Sequence, residues 1–222
     1  MITLYHCVSA RSFRPLWMLE ELGMPYDLKM LPFPPRVLAR SYLDLNPLGT
    51  VPLMINGATR MTESAAICQY LCALGAPTSL QVDPTEADHG AYLNHLHFGE
   101  ATLTFPQTLV LRYARFEPEH RRQPIVAEDY AKWFLARLRT LEPMLTQQEH
   151  LCAGRFTAAD VSVGYALLLA QHLGLASRFT PAVTAYWERL QRREGYRRAL
   201  QAQEAAAVAQ GVSTVPAPDT DA

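Results

Sequence analysis

Residues 46–64 of the chain read NPLGTVPLMINGATRMTES, and this stretch decides the fold class. Its centre is Asn56-Gly57, with a short strand-like run on either side. Asn-Gly between two such runs is the strongest short-range signal for a β-hairpin, because a type I′ turn needs positive φ at both central residues. The stretch ends on Glu63-Ser64, where we expect a helix with an apolar face to begin.

Alternating strand and helix signals precede this hairpin. Residues 2–6 are β-branched or aromatic, which is typical of a buried strand, and residues 26–30 alternate apolar with polar side chains. A further helix is predicted over residues 37–45. The resulting order is β-α-β-α-β-β-α, which is the arrangement of a thioredoxin-like domain.

The first helix has clear start and stop signals. Proline is tolerated only in the first turn of a helix, so Pro15 places the start near Arg11 or Ser12. Ser12 is of a residue type that caps helices, and Gly23 stands where the apolar pattern ends.

The second half of the chain is predicted to be helical. Residues 75–79 are typical of a linker, and residues 157–160 read TAAD, a variant of the capping box ahead of a strongly apolar helix. Gly174 should end that helix. A last amphipathic helix is expected around residues 182–205.

These patterns divide the chain into three parts. We expect an α/β thioredoxin-like domain over residues 1–76 and an all-helical domain over residues 84–205. The polar and small residues of the tail, 206–222, predict disorder.

The composition excludes several classes of function. The 222 residues are 49% hydrophobic and 18% charged, and a formal net charge of -1 gives no field to attract nucleic acid or anionic lipid. The N-terminus does not read as a signal peptide, and no apolar run approaches the roughly 18 residues of a membrane span. Four scattered cysteines do not form a disulfide framework. A reducing, cytoplasmic setting is therefore expected.

Residues 46–64 resemble the glutathione-binding signature of the soluble, cytosolic-type glutathione transferases. Residues 156–160 and 186–189 resemble that family too, so the resemblance runs from Leu4 to about Leu200. It implies the fold of a thioredoxin-like domain followed by an all-helical domain, in a bacterial member with a serine- or cysteine-type-like N-terminal loop. It also implies a homodimer, with glutathione as the co-substrate.

The resemblance assigns the glutathione-binding residues. It implies a cis bond before Pro52, which exposes the backbone of Val51 so that the tripeptide pairs with it as an added strand. Ser64, at the start of a helix, suits the carboxylate of the γ-glutamyl group, and Glu63 suits its ammonium. Arg36, Arg40 and Thr50 are candidates for the glycine carboxylate, and the alternative for the two arginines is an ordinary surface position.

The thiol-activating group is expected in the turn after the first strand. A free thiol has a pKa of ~8.5, so a hydroxyl, a cation or a helix N-terminus must stabilise the thiolate. Ser9 is the first candidate, followed by Arg11 and Ser12. Cys7 is a rival nucleophile, although Ala10 stands where a redox Cys-x-x-Cys motif would have its second cysteine.

The resemblance places the electrophile pocket between the domains, and aromatic residues of the first helices after the linker are candidates for it. Each of them has core packing as its alternative. The histidines of this region lack the i, i+4 spacing of a helical zinc site, so no metal is expected. The candidates are Tyr92, His95, Phe98, Phe105 and Tyr113.

The expected function is a transferase that conjugates glutathione to a small, largely apolar electrophile in detoxification. A binding or stress-response protein that keeps the fold without catalysis is the alternative from another class. A glutathione-dependent isomerase, peroxidase or dehalogenase shares the same first step and also stays open.

Overall fold

The computed structural model describes residues 1–217, which form two compact units. The first unit combines residues 1–78 with residues 192–217, and the second comprises residues 79–191. In the described part of the chain, every helix is too short or too polar to cross a membrane.

The first unit contains a four-stranded sheet in the order β2-β1-β3-β4. Strand β1 is parallel to β2 and antiparallel to β3, and β3 and β4 form an antiparallel hairpin. This topology confirms the predicted thioredoxin-like arrangement. The strands are β1 (Ile2–His6), β2 (Tyr26–Met30), β3 (Leu53–Asn56) and β4 (Thr59–Met61).

The hairpin forms one residue later than predicted. Asn56 is still in β3 and pairs with Thr59, so the two loop residues are Gly57 and Ala58. Gly57 adopts the positive φ of 58° that the tight turn requires. The prediction of a hairpin is confirmed, whereas its assignment of Asn56 to the centre of the turn is wrong.

Three α-helices of the first unit are α1 (Phe13–Leu22), α2 (Pro35–Leu38) and α3 (Ser64–Leu74). Gly23 ends α1 in a left-handed conformation, as predicted. The single helix predicted over residues 37–45 is wrong. Ala39, with φ -135° and ψ 65°, leaves the helical region and separates α2 from a 3-10 turn over Arg40–Asp44.

Helix α1 is the centre of the first unit's core. All seven residues from Phe13 to Leu19 are buried, and α1 packs against α3 and against the C-terminal helix. Burying a large apolar side chain contributes roughly 1.5–3 kcal/mol, so the apolar residues of this helix stabilise the unit.

The second unit is all-helical. Helix α8 begins with the predicted capping box, in which the Thr157 hydroxyl accepts from the Ala159 N–H and the Asp160 carboxylate accepts from the Thr157 N–H. Gly174 follows its end with a φ of 74°. The α-helices are α4 (His89–His97), α5 (Phe105–Leu111), α6 (Pro124–Leu138), α7 (Glu142–Leu145), α8 (Ala158–His172) and α9 (Pro181–Gln191), and π-helical turns span Phe98–Thr104 and Arg112–Phe116.

The C-terminal helix corrects the predicted domain plan. The single helix expected around residues 182–205 is α9 and a separate helix, α10 (Glu194–Ala209). Helix α10 belongs to the compact unit of the sheet, whereas residues up to 205 were expected in the helical domain. The expected disorder from residue 206 is also wrong for the end of α10, where Ala207 is fully buried. Residues 218–222 of the predicted tail lie outside the described residues.

Ion pairs and aromatic contacts fix α10 on α1. The guanidinium of Arg193 donates to both carboxylate oxygens of Glu21 at 2.8 Å. The ring of Tyr196 lies edge-on to Trp17 and Phe13, with centroids 4.9 and 5.7 Å away. Such partly buried contacts hold a helix far better than exposed charge pairs do.

The residue after α10 protects the edge of the sheet. The side-chain amide of Gln210 accepts from the Met30 N–H at 2.9 Å and donates to the Leu28 carbonyl at 2.9 Å. This amide therefore satisfies backbone groups of β2 that another strand would otherwise pair with.

Candidate functional site

Polar side chains fix the segment that precedes β3. The Thr50 carbonyl accepts from the Asn46 amide and from the Tyr42 hydroxyl, each at 2.8 Å. The other end of the Asn46 side chain accepts from the Leu48 N–H at 3.2 Å, which makes a local turn. The side chain of Asn46 is buried, so these bonds satisfy its polar atoms and set the path of the chain.

Gly49 is required by the same turn. It has a φ of 61°, and a Cβ at this position would lie 2.7 Å from the Cβ of Arg36 and 2.9 Å from a methyl of Leu43. The bond between Val51 and Pro52 that follows is cis, as predicted. The hydrogen bonds of Asn46 and the close packing at Gly49 thus fix the conformation of the stretch from Asn46 to Pro52.

Helix α3 begins with a buried hydroxyl beside a buried cation. Ser64 is 3% exposed, and its Oγ accepts a hydrogen bond of 3.1 Å from Nη1 of Arg14. Glu63 precedes the helix in an extended conformation, and its side chain is exposed. The hydroxyl, the guanidinium and the amino end of the helix all favour a negative charge at this place.

Sequence reasoning missed Arg14. Its side chain is fully buried on α1, although arginine is rarely buried without a polar partner. The available signal was a charged residue within the apolar run of residues 13–19. Its partner Ser64 is 50 residues away in sequence, so the pairing itself was out of reach of local patterns.

The three thiol-activating candidates lie in one turn, but their side chains have different environments. Ser9 is buried and has a φ of 52°, and its Oγ accepts from the side-chain amide of Gln203 at 3.2 Å. Ser12 is fully buried, with Oγ 2.7 Å from Nδ1 of His6. Its predicted role as the cap of α1 is therefore wrong, because the hydroxyl bonds to His6. Arg11 is half-buried.

His6 is a neutral side chain inside this turn. Burial lowers its pKa to about 4, against the smaller opposing effects of its hydrogen bonds to Gln203 and Ser12. Oε1 of Gln203 accepts from the Ser9 N–H at 2.9 Å, so the same oxygen must also be the acceptor for Nε2 of His6 at 3.0 Å. The proton is thus on Nε2, and Nδ1 accepts from the Ser12 hydroxyl. Neither His6 nor Gln203 was identified from the sequence.

The cysteines of the chain are packing residues. Burial raises the pKa of Cys7 to about 12, and its Sγ lies 3.8 Å from the Pro32 carbonyl. A neutral, buried thiol is a poor nucleophile. Cys68, Cys72 and Cys152 are also buried.

The electrophile candidates are divided between core and surface of the helical unit. Tyr92 is fully buried, which makes it a core residue and not the wall of an open pocket. Phe105 is 56% exposed, and Tyr113 is half-buried in the second π-helical turn. His95 and Phe98 contact each other edge to face, with ring centroids 6.3 Å apart.

Phe98 also lines an open surface groove of about 400 Å³ on the helical unit. Within residues 1–217, none of the other four electrophile candidates lines this groove. The lining residues are Leu93, Asn94, His97, Phe98, Ala101 and Thr102.

Comparisons with known proteins show similarity to glutathione transferases. Residues 8–74 match the family described as "Glutathione S-transferase, N-terminal domain". The chain is 27% identical to glutathione S-transferase 3 of Schizosaccharomyces pombe over 181 residues, which cover 77% of this chain and 75% of that protein.

Solved structures show the same fold over nearly the whole chain. The glutathione transferase URE2P6 of Phanerochaete chrysosporium, in complex with oxidized glutathione, is 25% identical with a TM-score of 0.80 and covers 92% of this chain and 97% of its own. URE2P8 of the same fungus, also with oxidized glutathione, has a TM-score of 0.81 at 20% identity and covers 93% and 96%.

Proposed function

From the premise that this chain belongs to the soluble glutathione transferase family, we propose that it binds glutathione and activates the thiol for attack on a small, largely apolar electrophile. Glutathione is then a co-substrate that supplies the nucleophile. The residues of the first unit provide separate positions for its carboxylate, its peptide backbone and its thiol.

The start of α3 is the observation that carries the proposal. The γ-glutamyl carboxylate would accept from the Ser64 hydroxyl and from the first N–H groups of the helix. Arg14, at 3.1 Å from the Ser64 oxygen, adds a cation that polarises this hydroxyl. Glu63 is exposed beside them, where its carboxylate can hold the ammonium of the same γ-glutamyl group.

The segment before β3 supplies the peptide contact in this proposal. Val51, held by the cis bond to Pro52 and by the bonds on the Thr50 carbonyl, would pair through its backbone with the tripeptide. The Thr50 side chain is exposed and remains the candidate for the glycine carboxylate.

Thiol activation is assigned to the turn between β1 and α1. The hydroxyls of Ser9 and Ser12 are both buried and bonded to other side chains, which leaves Arg11 and the amino end of α1 as the favoured stabilisers of the thiolate. A cation and a helix N-terminus are both known to lower a thiol pKa. With an aryl chloride as the electrophile, the thiolate sulfur forms the C–S bond, the C–Cl bond breaks, chloride leaves, and the thiol proton passes to solvent.

The electrophile side of the proposal is assigned to the helical unit. His95 and Phe98 contact each other edge to face, Phe105 is exposed and Tyr113 is half-buried, so these four remain the candidates for contact with an apolar substrate. We also propose that the protein is a homodimer in the cytoplasm. Sedimentation measures the number of subunits.

Calorimetric titration with glutathione tests the proposal. Wild type should bind, and Ser64→Ala should bind about 10- to 100-fold more weakly, because a hydrogen bond to a charged group contributes ~1.5–3 kcal/mol. Ser177→Ala, at an exposed position of the helical unit, is the matched control and should bind as wild type does. Wild type that does not bind glutathione would refute the proposed function.

Turnover separates the enzyme from a binding protein. Because both serine hydroxyls are buried, a non-catalytic binding protein is the alternative that this test must exclude. Release of chloride from chlorodinitrobenzene, saturable in glutathione, identifies a transferase. Binding without turnover on aryl halides, peroxides or isomerisable substrates would identify the binding or stress-response protein.

A further inference from the structure

Gln203 of α10 reaches the turn that follows β1 across the interior of the first unit. Its side chain is 5% exposed. Oε1 accepts from the Ser9 N–H at 2.9 Å, and Nε2 donates to the Ser9 Oγ at 3.2 Å. One amide therefore binds both the backbone and the side chain of a residue that is 194 positions away in sequence.

Ser9 has the conformation that most needs such support. The Ala10 N–H bonds to the Cys7 carbonyl at 3.0 Å, which makes Ser9 the third residue of a tight turn. Its φ of 52° is left-handed, and glycine or asparagine is the usual residue at a turn position of this kind. The two bonds from Gln203 compensate for the absence of a glycine.

The bonds continue through the turn and return to Gln203. Oε1 of Gln203 also accepts from Nε2 of His6 at 3.0 Å, Nδ1 of His6 lies 2.7 Å from the Ser12 Oγ, and that oxygen accepts from the Cys7 N–H at 3.4 Å. We name this set, His6, Cys7, Ser9, Ser12 and Gln203, the Gln203 network. It ties both ends of the turn to one side chain of the C-terminal helix.

We propose that Gln203 is a positioning residue for thiol activation, which it supports by holding Ser9 in the left-handed conformation that places Arg11 at the amino end of α1. This inference rests on the proposed function, because it concerns the same turn. Gln203 itself does not touch the thiol. It acts through Ser9, so its loss should change the reactivity of bound glutathione more than the affinity for it.

The test compares Gln203→Met in two backgrounds. Methionine matches the length of glutamine but offers neither an amide donor nor an amide acceptor, so Ser9 loses both bonds. We expect kcat with chlorodinitrobenzene to fall about tenfold, as displacement of a positioned group does, and the thiol pKa in the pH–rate profile to rise by about one unit. The Kd for the thiol form of glutathione, measured at a pH below the pKa of the bound thiol, should change less than about twofold, because only the thiolate form loses stabilisation.

The Ser9→Gly background isolates the mechanism. Glycine adopts a positive φ without help, so Gln203→Met should reduce kcat less than about twofold in that background, whatever Ser9→Gly does alone. Gln201→Met, at an exposed position on the same helix, is the control and should keep the wild-type profile. Gln203→Asn, one methylene shorter, serves where Gln203→Met does not fold.

The outcomes distinguish this inference from the function on which it rests. Ultraviolet absorbance of the bound thiolate gives the thiol pKa even without turnover. Wild type that fails to bind glutathione overturns both proposals. Wild type that binds, together with a Gln203 variant of unchanged thiol pKa, overturns only the positioning role. An equal loss in the Ser9 and Ser9→Gly backgrounds also overturns it, because the effect would then not pass through the conformation of Ser9.

Discussion

Acidification should destabilise the first unit through His6. The imidazole is fully buried, and both ring nitrogens are bonded, to Gln203 and to Ser12. Protonation of Nδ1 would place a charge in the interior and replace the acceptor of the Ser12 hydroxyl with a second donor. A drop in pH is therefore the change to apply, and these contacts identify His6 as the group that should respond.

The size of the effect follows from the pKa of His6 in the two states. Burial lowers the pKa from 6.5 to about 4 in the folded chain. The unfolded chain takes up the proton first as the pH falls, so folding stability is full above the unfolded pKa and is lost between pH 6.5 and 4. At about 1.4 kcal/mol per unit, the loss is about 3 kcal/mol.

Thermal unfolding between about pH 4 and pH 7 measures this loss. For a chain of this size, ~3 kcal/mol corresponds to a decrease in Tm of about 6–12 °C. His6→Asn retains an acceptor for Ser12 but does not titrate in this range, so the wild-type-minus-variant difference isolates His6. The same subtraction cancels the contributions of other titrating groups, such as Asp160, whose pKa is raised by burial. His120→Asn, at an exposed position, should follow wild type.

A constant difference between wild type and His6→Asn across this range would refute the reasoning, since His6 would then titrate alike in both states. The carboxylate of Glu86 responds at a lower pH than His6 does. Arg155 lowers the pKa of Glu86 to about 2, so the stability that Glu86 contributes is lost only below about pH 4.5.

Three further outcomes are expected. Gly99→Ala should lower the free energy of unfolding, measured by chemical denaturation, by about 1–3 kcal/mol. The added Cβ would lie 2.5 Å from the Ser162 Oγ and 2.6 Å from the Ser162 backbone. Gly90→Ala, with open space around it among the described residues, is the control and should be neutral or stabilising. Asp160→Asn should lower stability by about 1–3 kcal/mol, since an amide nitrogen cannot accept all the hydrogen bonds that Tyr186 and backbone N–H groups donate to the carboxylate. All four cysteines are buried, so a thiol reagent should modify the native chain only as fast as it unfolds, and faster labelling would contradict their placement.

The features that the sequence predicts correctly are those with a local cause. The hairpin signal at Asn56-Gly57, Gly23 and the capping box of residues 157–160 act within a few residues of themselves. They appear as a hairpin whose turn lies one residue later, a helix end and a helix start. The errors at 37–45 and 182–205 are also local, because short breaks such as the one at Ala39 leave little trace in the apolar pattern.

The polar interior of the first unit was not predictable in the same way. Ser12 has the residue type and position of a helix cap, but a histidine six residues earlier takes its hydroxyl. His6 does so because Gln203, 197 residues later, fixes its tautomer. Such a pairing depends on the packing of α10 against the sheet, which amphipathic periodicity alone does not specify.

The first turn of α1 connects the two ends of the proposed glutathione site. Ser12 precedes the helix and bonds toward His6 and α10, whereas Arg14, two residues later, bonds toward Ser64 at the start of α3. The core packing of Phe13 to Leu19 holds this turn in place, so a change on the Gln203 side can alter the preceding turn while Arg14 keeps its contact with Ser64. Thiol activation and carboxylate binding should therefore respond separately to substitutions on α10 and α3, although one helix turn supports both.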